Sequence, residues 1–407
     1  MKTILFKIQQ FPLISETFIV NQIIMAIELG FDVKILIKDL LKFEESSQAE
    51  LLEKYKISDK IIFEQFDIPQ NKFWRLLKVI GIVLSRITNF LKVIKYVKLK
   101  SKFSLTWIFE IAFYDQFKNI DIIHVQYGTN VHPIDILKKA GFIDSRLIVS
   151  FHGHDAFFPI NGLIPRDGYY DYLVNEGDWI IANTPYLKQQ LMKIGFSENK
   201  IEVIPVPVDT DYFTSMRKRK RPNNPIRLIS VGRLESIKGH RYGILATDIL
   251  VRKGIDVKYF IIGEGSNRKE LESLIHLKQL DNHVNLLGKR TQREIRVKLR
   301  QADIYLMTSV TFNNQIKETQ GLATIEAQSC GLPVVAFDSG GVRYTIIHGE
   351  TGFLCEEENF LKFAEYLERL INNKKLRDKF SQNAEKFVKE HYSRKMVFHK
   401  WRLIYNR

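Results

Sequence analysis

The chain has 407 residues, of which 45% are hydrophobic and 26% charged, and its formal net charge is +15. This composition predicts a globular protein with enough apolar material for two domains. It carries two cysteines, Cys330 and Cys355. They are too few to staple so large a fold, which argues against a disulfide-rich secreted protein and favours a reducing, cytoplasmic compartment.

The N-terminus and the hydropathy pattern predict neither a signal peptide nor a membrane span. The first residues, MKTILFKIQQF, are interrupted by Lys7 and followed by polar residues, unlike a secretory signal. No uncharged apolar stretch is long enough to cross a bilayer.

Short apolar strands alternate with helical stretches along the chain, which predicts parallel α/β sheets. The predicted strands of the first half are Thr3–Ile8, Asp32–Ile37, Ile61–Gln65, Asp121–Gln126, Arg146–Phe151, Asp178–Ala182 and Glu202–Ile204. Helices are predicted at Glu16–Leu29 and Pro185–Ile194. The predicted strands of the second half are Arg227–Val231, Val257–Ile262, Val284–Leu287, Asp303–Met307, Pro333–Ala336 and Gly352–Leu354.

A segment rich in proline, asparagine and charge, Thr214 to Pro225, marks the predicted domain boundary. Its basic run, Arg217 to Arg221, is interpreted as a solvated loop. We predict two doubly wound, Rossmann-like domains at residues 1–214 and 215–390, with a C-terminal helix at 391–407 that packs back on the first domain. Ligands of such domains collect in a cleft at the carboxyl ends of the strands.

The segment from Ile68 to Phe109 contains nine Lys or Arg residues and no Asp or Glu. Apolar and aromatic residues, such as Phe73, Trp74 and Trp107, are interspersed among the basic ones. This pattern fits a helix that lies on an anionic bilayer, and also a core helix with a solvated face. Nucleic-acid binding is a further alternative, although no nucleic-acid-binding motif is present.

The segment ETQGLATIEAQSCGLPVV, Glu318 to Val335, predicts a strand–loop–helix site for an anion. A helix that begins near Gly321 leaves the N–H groups of Leu322 and Ala323 at its positive end, which suits a phosphate. Glu318 would reach sugar hydroxyls, and Glu326 would accept hydrogen bonds from a ribose. The alternative is a pair of surface glutamates beside a helix.

The segment SVGRLESIKGH, Ser230 to His240, places two cations after a predicted strand. Arg233 follows Gly232, and Lys238 stands at a predicted helix start. Together they could neutralise a diphosphate leaving group, Arg233 through bidentate contact and Lys238 as a point charge. The alternative is that both side chains are only solvated.

Two glycine turns follow other strands of the second half. IIGEG, with Gly263 and Gly265, resembles a phosphate loop but also fits a simple turn. DSGGV, Asp338 to Val342, could form a backbone nest for an anion or a tight turn.

The first half offers two polar loops after predicted strands. SFHGHDAF brings His152 and Asp155 to the strand ends, where His152 could bind a sugar hydroxyl or the reacting centre. FPLISETF contains Phe11, Ser15 and Glu16, and Ser15 is a candidate helix N-cap. We expect no metal site, because no cysteine or third ligand accompanies the histidines and the Asp209–Asp211 pair fits a turn.

Taken together, these segments resemble glycosyltransferase family 4, which has the GT-B fold. GRLESIKGH, IIGEG, VNLLG, ETQGLATIEAQSCGLPVVAFDSGG and GETGFL stand in the family's order, and the likeness covers nearly the whole chain. FPLISETFI and SFHGHD further resemble the bacterial branch that builds exopolysaccharide and capsule. Many relatives have paired glycines in the loop after the first strand, whereas this chain has QQFPLISE.

The resemblance implies a retaining, metal-independent transfer of a hexosyl group from a nucleotide-sugar, here expected to be a UDP-sugar. The first domain would bind a lipid-linked or saccharide acceptor, with Phe11, Ser15, Glu16, His152 and Asp155 on its side. The second would bind the donor, through Gly232, Arg233, Lys238, Gly263, Gly265, Leu287, Glu318, Gly321, Leu322, Ala323 and Glu326. His152, Arg233, Lys238 and Glu318 would be the catalytic set.

The implied partners are the nucleotide-sugar, a lipid-linked saccharide and an anionic membrane surface contacted by residues 68–109, with no nucleic acid and no cofactor. The protein would then lie on the inner face of the plasma membrane. The alternatives are a GT-B sugar-phosphate synthase or epimerase, and a nucleotide-sugar-binding protein without activity.

Overall fold

The computed structural model describes residues 1–13, 16–46, 48–85, 89–100, 104–160, 162–215, 225–313 and 316–407. The chain divides into two compact units. The first unit comprises Met1–Ala182, Lys188–Val203 and Tyr405–Arg407, and the second comprises Asn183–Leu187 and Ile204–Ile404. The predicted basic loop at Arg217 to Arg221 lies outside the described residues, and the predicted domain limits at 214 and 390 stay predictions.

The first unit contains a parallel sheet whose described strands number seven, in the order β3-β2-β1-β4-β5-β6-β7. The strands are β1 Thr3–Phe11, β2 Asp32–Leu40, β3 Ile61–Phe63, β4 Ile122–Gln126, β5 Arg146–Ser150, β6 Trp179–Ala182 and β7 Ile201–Val203. The central strands are near-continuous apolar runs, such as Ile4–Phe6, because both faces of a parallel sheet are covered.

Helices connect these strands: α1 Thr17–Glu28, α2 Ala49–Lys54, α3 Lys72–Leu84, α4 Phe90–Leu99, α5 Thr106–Tyr114, α6 Ile134–Ala140, α7 Asp171–Glu176 and α8 Pro185–Ile194. The basic segment 68–109 therefore forms α3, α4 and the start of α5. Its two ends differ in burial, since α5 buries Ile108, Phe109 and Ile111, whereas α3 buries only Val79 among its described residues. The core-helix interpretation thus applies to α5 but not to α3.

The second unit contains a parallel sheet whose described strands number six, in the order β10-β9-β8-β11-β12-β13. The strands are β8 Ile226–Val231, β9 Val257–Ile262, β10 Val284–Leu286, β11 Ile304–Met307, β12 Val334–Phe337 and β13 Gly352–Cys355. Alternate residues pack into two cores on opposite faces of the sheet, so that Leu228 and Leu306 lie in one and Ile229 and Tyr305 in the other.

The helices of this part of the chain are α9 His240–Arg252, α10 Arg268–Leu277, α11 Gln292–Gln301, α12 Leu322–Ser329, α13 Phe360–Asn372, α14 Lys374–His391 and α15 Arg394–Asn406. Among the helices of the described ranges, none is at once long and apolar enough to cross a bilayer. Cys330 and Cys355 are buried free thiols.

The strand order of each sheet reverses at one point, which fixes where ligands of such a sheet bind. The reversal lies between β1 and β4 in the first unit and between β8 and β11 in the second. The loops that leave two such strands diverge and open a crevice at their carboxyl ends. In the second unit, the loop after β8 carries Arg233 and Lys238, and the loop after β11 carries Glu318 and Gly321.

Candidate functional site

In the second unit, the loops after β8 and β11 meet through an ion pair. Lys238 Nζ donates a hydrogen bond to Glu318 Oε2, although the two residues are eighty positions apart in the chain. The backbone N–H of Gly321 binds the same carboxylate, and the charge of Arg233 acts on it as well. The structure therefore brings these four predicted residues of the site together.

The charge state of Glu318 is set by these neighbours. Burial alone would raise the pKa of this carboxyl group, but the adjacent Lys238 and its hydrogen bond, the Gly321 N–H and the charge of Arg233 outweigh burial and lower it. Glu318 is thus held as an anion between cations. The Arg233 side chain itself is exposed and has no ion pair with the described residues, which leaves its charge available to a ligand.

The helix α12 begins where the sequence predicts. Gly321 is its N-cap and has φ = 79°, a left-handed conformation that favours glycine because it has no Cβ. Leu322 and Ala323 follow as half-buried residues of the first turn. Their N–H groups are among those that an α-helix leaves without an internal partner, so they suit an anion.

Glu326 lies one turn further along α12 and is half-buried. Burial raises the pKa of its carboxyl group to about 7. Burial also raises the pKa of Tyr305 on β11, with further contributions from the charges of Glu326 and Glu318. Both predicted glutamates therefore lie within electrostatic range of one buried tyrosine.

The IIGEG loop packs against the loop that carries Arg233. A Cβ on Gly263 would lie 1.9 Å from the Gly232 carbonyl oxygen, and one on Gly265 would lie 2.5 Å from the Leu234 oxygen. Leu287, another predicted donor-binding residue, donates its N–H to the Ile261 carbonyl at 2.8 Å. Close backbone packing accounts for both glycines, and their contact with a donor stays a prediction.

The DSGG turn after β12 supports the Glu318 loop. Gly341 donates its N–H to the Glu318 carbonyl at 2.7 Å. A Cβ at Gly341 would lie 1.7 Å from the Thr319 carbonyl oxygen, so the two backbones touch. The adjacent glycines therefore fix the position of Glu318.

Three residues that the sequence did not single out hold the same loop. The Gln320 side chain accepts from the Val206 N–H and donates to the Val206 carbonyl, each at 2.9 Å. The Thr184 hydroxyl donates to the Thr319 carbonyl at 2.7 Å, and the Asn183 amide donates to the Thr319 hydroxyl at 3.3 Å. No local sequence signal identifies them, because each is bound to a partner more than a hundred residues away in the chain.

In the first unit, His152 follows β5 and is enclosed by aromatic rings. The ring centroids of Phe18 and Tyr127 lie 4.8 and 4.6 Å from that of His152. His152 Nε2 lies 3.0 Å from Gln126 Oε1. Burial, with a smaller contribution from His154, lowers the pKa of His152 to about 3, so its imidazole is neutral at pH 7.

The other predicted residues of this unit support the loops around His152. Asp155 is fully buried and accepts hydrogen bonds from the N–H groups of Gly128, His152 and Gly153. Any effect of Asp155 on an acceptor would therefore act through the loop. The same holds for Phe11, which is buried and packs edge-on against Phe43.

Glu16 accepts a hydrogen bond from the Tyr127 hydroxyl at 2.6 Å, and burial raises its pKa despite that bond. It is thereby linked to Tyr127, whose ring packs at a tilt against that of His152. Ser15 lies outside the described residues. Contact of these side chains with an acceptor stays a prediction.

The Asp209–Asp211 pair forms a turn, in which Asp209 Oδ1 accepts from the N–H groups of Asp211 and Tyr212. Within the described ranges, no three His, Cys, Asp or Glu side chains converge as a metal-binding group.

Two family models match consecutive parts of the chain. The model described as Glycosyltransferase Family 4 matches residues 81–212, and the one described as Glycosyl transferases group 1 matches residues 211–387. The second match contains every predicted donor-side residue.

Curated relatives match over nearly the full length. The amylovoran biosynthesis glycosyltransferase AmsK of Erwinia amylovora is 27% identical over 89% of this chain and 88% of its own. The putative colanic acid biosynthesis glycosyltransferase WcaL of Escherichia coli K12 is 29% identical over 89% of both chains.

Among solved structures, Anabaena Alr3699/HepE in complex with UDP superposes with a TM-score of 0.70 at 17% identity, over 100% of each chain. At that identity the likeness concerns the fold, and it agrees with two Rossmann-like units of the kind described above. The chain therefore belongs to the glycosyltransferases of family 4 and has the GT-B fold.

Proposed function

We propose that this enzyme transfers a hexosyl group, with retention of anomeric configuration and without a metal, from a UDP-sugar to a lipid-linked or saccharide acceptor during assembly of bacterial exopolysaccharide or capsule. The observation that carries the proposal is the convergence of Lys238, Arg233 and the Gly321 N–H on Glu318. The names of the relatives AmsK and WcaL support the pathway, and the UDP in the Alr3699/HepE complex supports the donor nucleotide.

The chemistry follows from what these groups can stabilise. The bond between the anomeric carbon and the diphosphate oxygen breaks, and Lys238, Arg233 and the leading N–H groups of α12 stabilise the departing anion. A new bond from the acceptor oxygen forms on the same face of the sugar, and the acceptor proton passes to the departing phosphate oxygen. In the second unit, Glu318 orients the donor sugar and Glu326 binds the ribose. In the first unit, His152 binds a sugar hydroxyl.

A donor screen tests the reaction. We expect a UDP-sugar to raise the melting temperature and to be consumed when a lipid-diphosphate saccharide is added, with activity unaffected by EDTA. Proton NMR of the product should show the anomeric configuration of the donor. An inverted product, dependence on a divalent metal, or a preference for a free sugar phosphate as acceptor would each contradict the proposal.

The proposal includes docking on an anionic membrane through α3. Phe73, Leu77, Ile80 and Leu84 are spaced i, i+4, i+7 and i+11, so they form one stripe along the helix. All four side chains are exposed, and Phe73 is 62% exposed, as is the adjacent Trp74. An apolar stripe beside basic residues, with no acidic residue from Ile68 to Phe109, suits an acidic lipid surface.

Replacing both Phe73 and Trp74 by Asp is expected to weaken binding to vesicles of phosphatidylcholine with phosphatidylglycerol by at least about tenfold, because two large apolar groups no longer insert. Co-sedimentation with vesicles measures this binding, which should fall as salt is added. Leu277→Asp, which changes an exposed apolar residue of the second unit, is the control. Equal binding of the wild type to pure phosphatidylcholine, or unchanged binding of the double variant, would refute docking by α3.

A further inference from the structure

A line of buried polar side chains in the first unit ends at His152. His152 Nε2 lies 3.0 Å from Gln126 Oε1, and Gln126 Nε2 lies 2.8 Å from Gln22 Oε1. Gln22 Nε2 in turn lies 3.2 Å from the Tyr405 hydroxyl. Gln126 and Tyr405 are fully buried and Gln22 is 6% exposed, so water does not compete for these bonds.

The line continues beyond Tyr405 to a second buried histidine. The Tyr405 hydroxyl lies 2.9 Å from His124 Nδ1, and His124 Nε2 lies 2.8 Å from the Ser150 hydroxyl. Burial, followed by the charge of His152, lowers the pKa of His124 to about 3, so this ring is a neutral link with one donor and one acceptor.

The chemistry of each group gives the line one direction. An amide oxygen can only accept, so His152 Nε2 must carry a hydrogen and donate to Gln126. Gln126 then donates to Gln22, and Gln22 donates to the Tyr405 hydroxyl. Tyr405 is left to donate to His124 Nδ1. The reverse direction would require both glutamine amides to turn over together.

We propose that Gln126, Gln22 and Tyr405 are positioning residues that hold the His152 ring as its Nε2–H tautomer. The rings of Phe18 and Tyr127 fix its plane. The lone pair of the imidazole then lies on Nδ1, so a hydroxyl group that binds the second nitrogen must donate rather than accept. The tautomer assignment is independent of the proposed function. Its effect on turnover rests on the role proposed for His152 in the sugar transfer.

The wild-type tautomer is measurable without a substrate. Long-range proton–nitrogen correlation spectra of protein labelled with ¹⁵N-histidine distinguish the two tautomers, and His152→Asn identifies the signal. We expect the Nε2–H form at pH 7. An Nδ1–H form in the wild type would overturn the proposal.

Gln126→Leu removes the acceptor from Nε2. We expect the His152 nitrogen shifts to move toward a mixture of tautomers and kcat to fall about tenfold. The KM for the donor should change less than kcat, because Lys238, Arg233 and Glu326, the groups proposed to hold its diphosphate and ribose, are unchanged. Ser145→Ala, which removes another buried hydroxyl of the first unit, is the control and should leave the His152 shifts in place.

Gln126→Glu distinguishes a positioning effect on His152 from a general loss of protein stability. It keeps an acceptor oxygen beside His152 Nε2 but adds a negative charge, which favours the imidazolium and raises the pKa of His152. The other titratable groups described around this ring are His124, His154, Tyr127 and Asp155, and all remain in the variant. We expect kcat/KM to gain an ionisation that the wild type lacks.

The outcomes are distinguishable. A folded Gln126→Leu protein with unchanged His152 nitrogen shifts would refute the positioning role of Gln126. Altered His152 nitrogen shifts with unchanged kcat would support the positioning role of Gln126 and contradict the proposed role of His152 in the transfer.

Discussion

Replacing Lys238 by Met is expected to lower kcat by about 100- to 1,000-fold, the typical effect of removing one fixed group that stabilises developing transition-state charge. Methionine keeps an unbranched side chain of nearly the same length and removes the cation. Lys238 is half-buried and bound to Glu318, so its charge is held in place before the diphosphate begins to leave. A positioned cation of this kind acts mainly on the transition state, and kcat should therefore fall more than donor affinity.

The same change leaves Glu318 without its nearest cation. Burial is the largest influence on this carboxyl group and is at present outweighed by its neighbours, so the pKa of Glu318 should rise in the variant. Lys253→Met is a matched control, because Lys253 also pairs with a glutamate of the second unit, Glu368, away from the predicted site residues. An increase in KM with unchanged kcat would show that Lys238 binds substrate and transition state equally and would contradict its proposed role.

The fold and the central part of the site were predictable because they depend on local pattern. Apolar runs flanked by turns predicted the strands of both sheets to within one or two residues at each end, except that β1 and β2 each extend three residues beyond the predicted end. Strand β9 and helix α8 were predicted to their end residues. Gly321 at a helix start and Gly232–Arg233 at a strand end are likewise local signals. Given parallel sheets, topology then brings the loops after β8 and β11 together.

What the sequence did not reveal depends on distant partners. Gln320 closes on Val206, and His124 reaches Tyr405, which is 281 residues away in the chain. No periodicity encodes such pairs, because each is fixed by packing that only the folded chain creates. Asp155 and Phe11 were predicted to lie on the acceptor side because they stand at the ends of strands. In the folded chain both side chains are buried and support the surrounding loops.

The affinity for the donor should depend on pH through the ionisation of Glu326. Its pKa is about 7 because the folded chain buries it, so the carboxyl group gains its charge between about pH 6 and 8. Only the ionised form accepts hydrogen bonds with both oxygens. We therefore expect affinity for the UDP-sugar to rise across this range in the wild type and to stay flat in Glu326→Gln, which should bind about 10- to 100-fold more weakly at pH 8.

Stability of the free enzyme should change in the opposite sense. A carboxyl group whose pKa is higher in the folded than in the unfolded chain holds its proton more tightly when folded, so its contribution to stability is greatest below about pH 4.5 and is lost as pH rises through about 7. Glu326→Gln removes this loss, and its melting temperature should exceed that of the wild type at pH 8 more than at pH 5. Calorimetry of both proteins measures affinity and melting, with Glu365→Gln, which changes an exposed carboxyl group of α13, as the control. Affinity that does not depend on pH, or equal binding by the glutamine variant at pH 8, would exclude Glu326 as the ribose ligand.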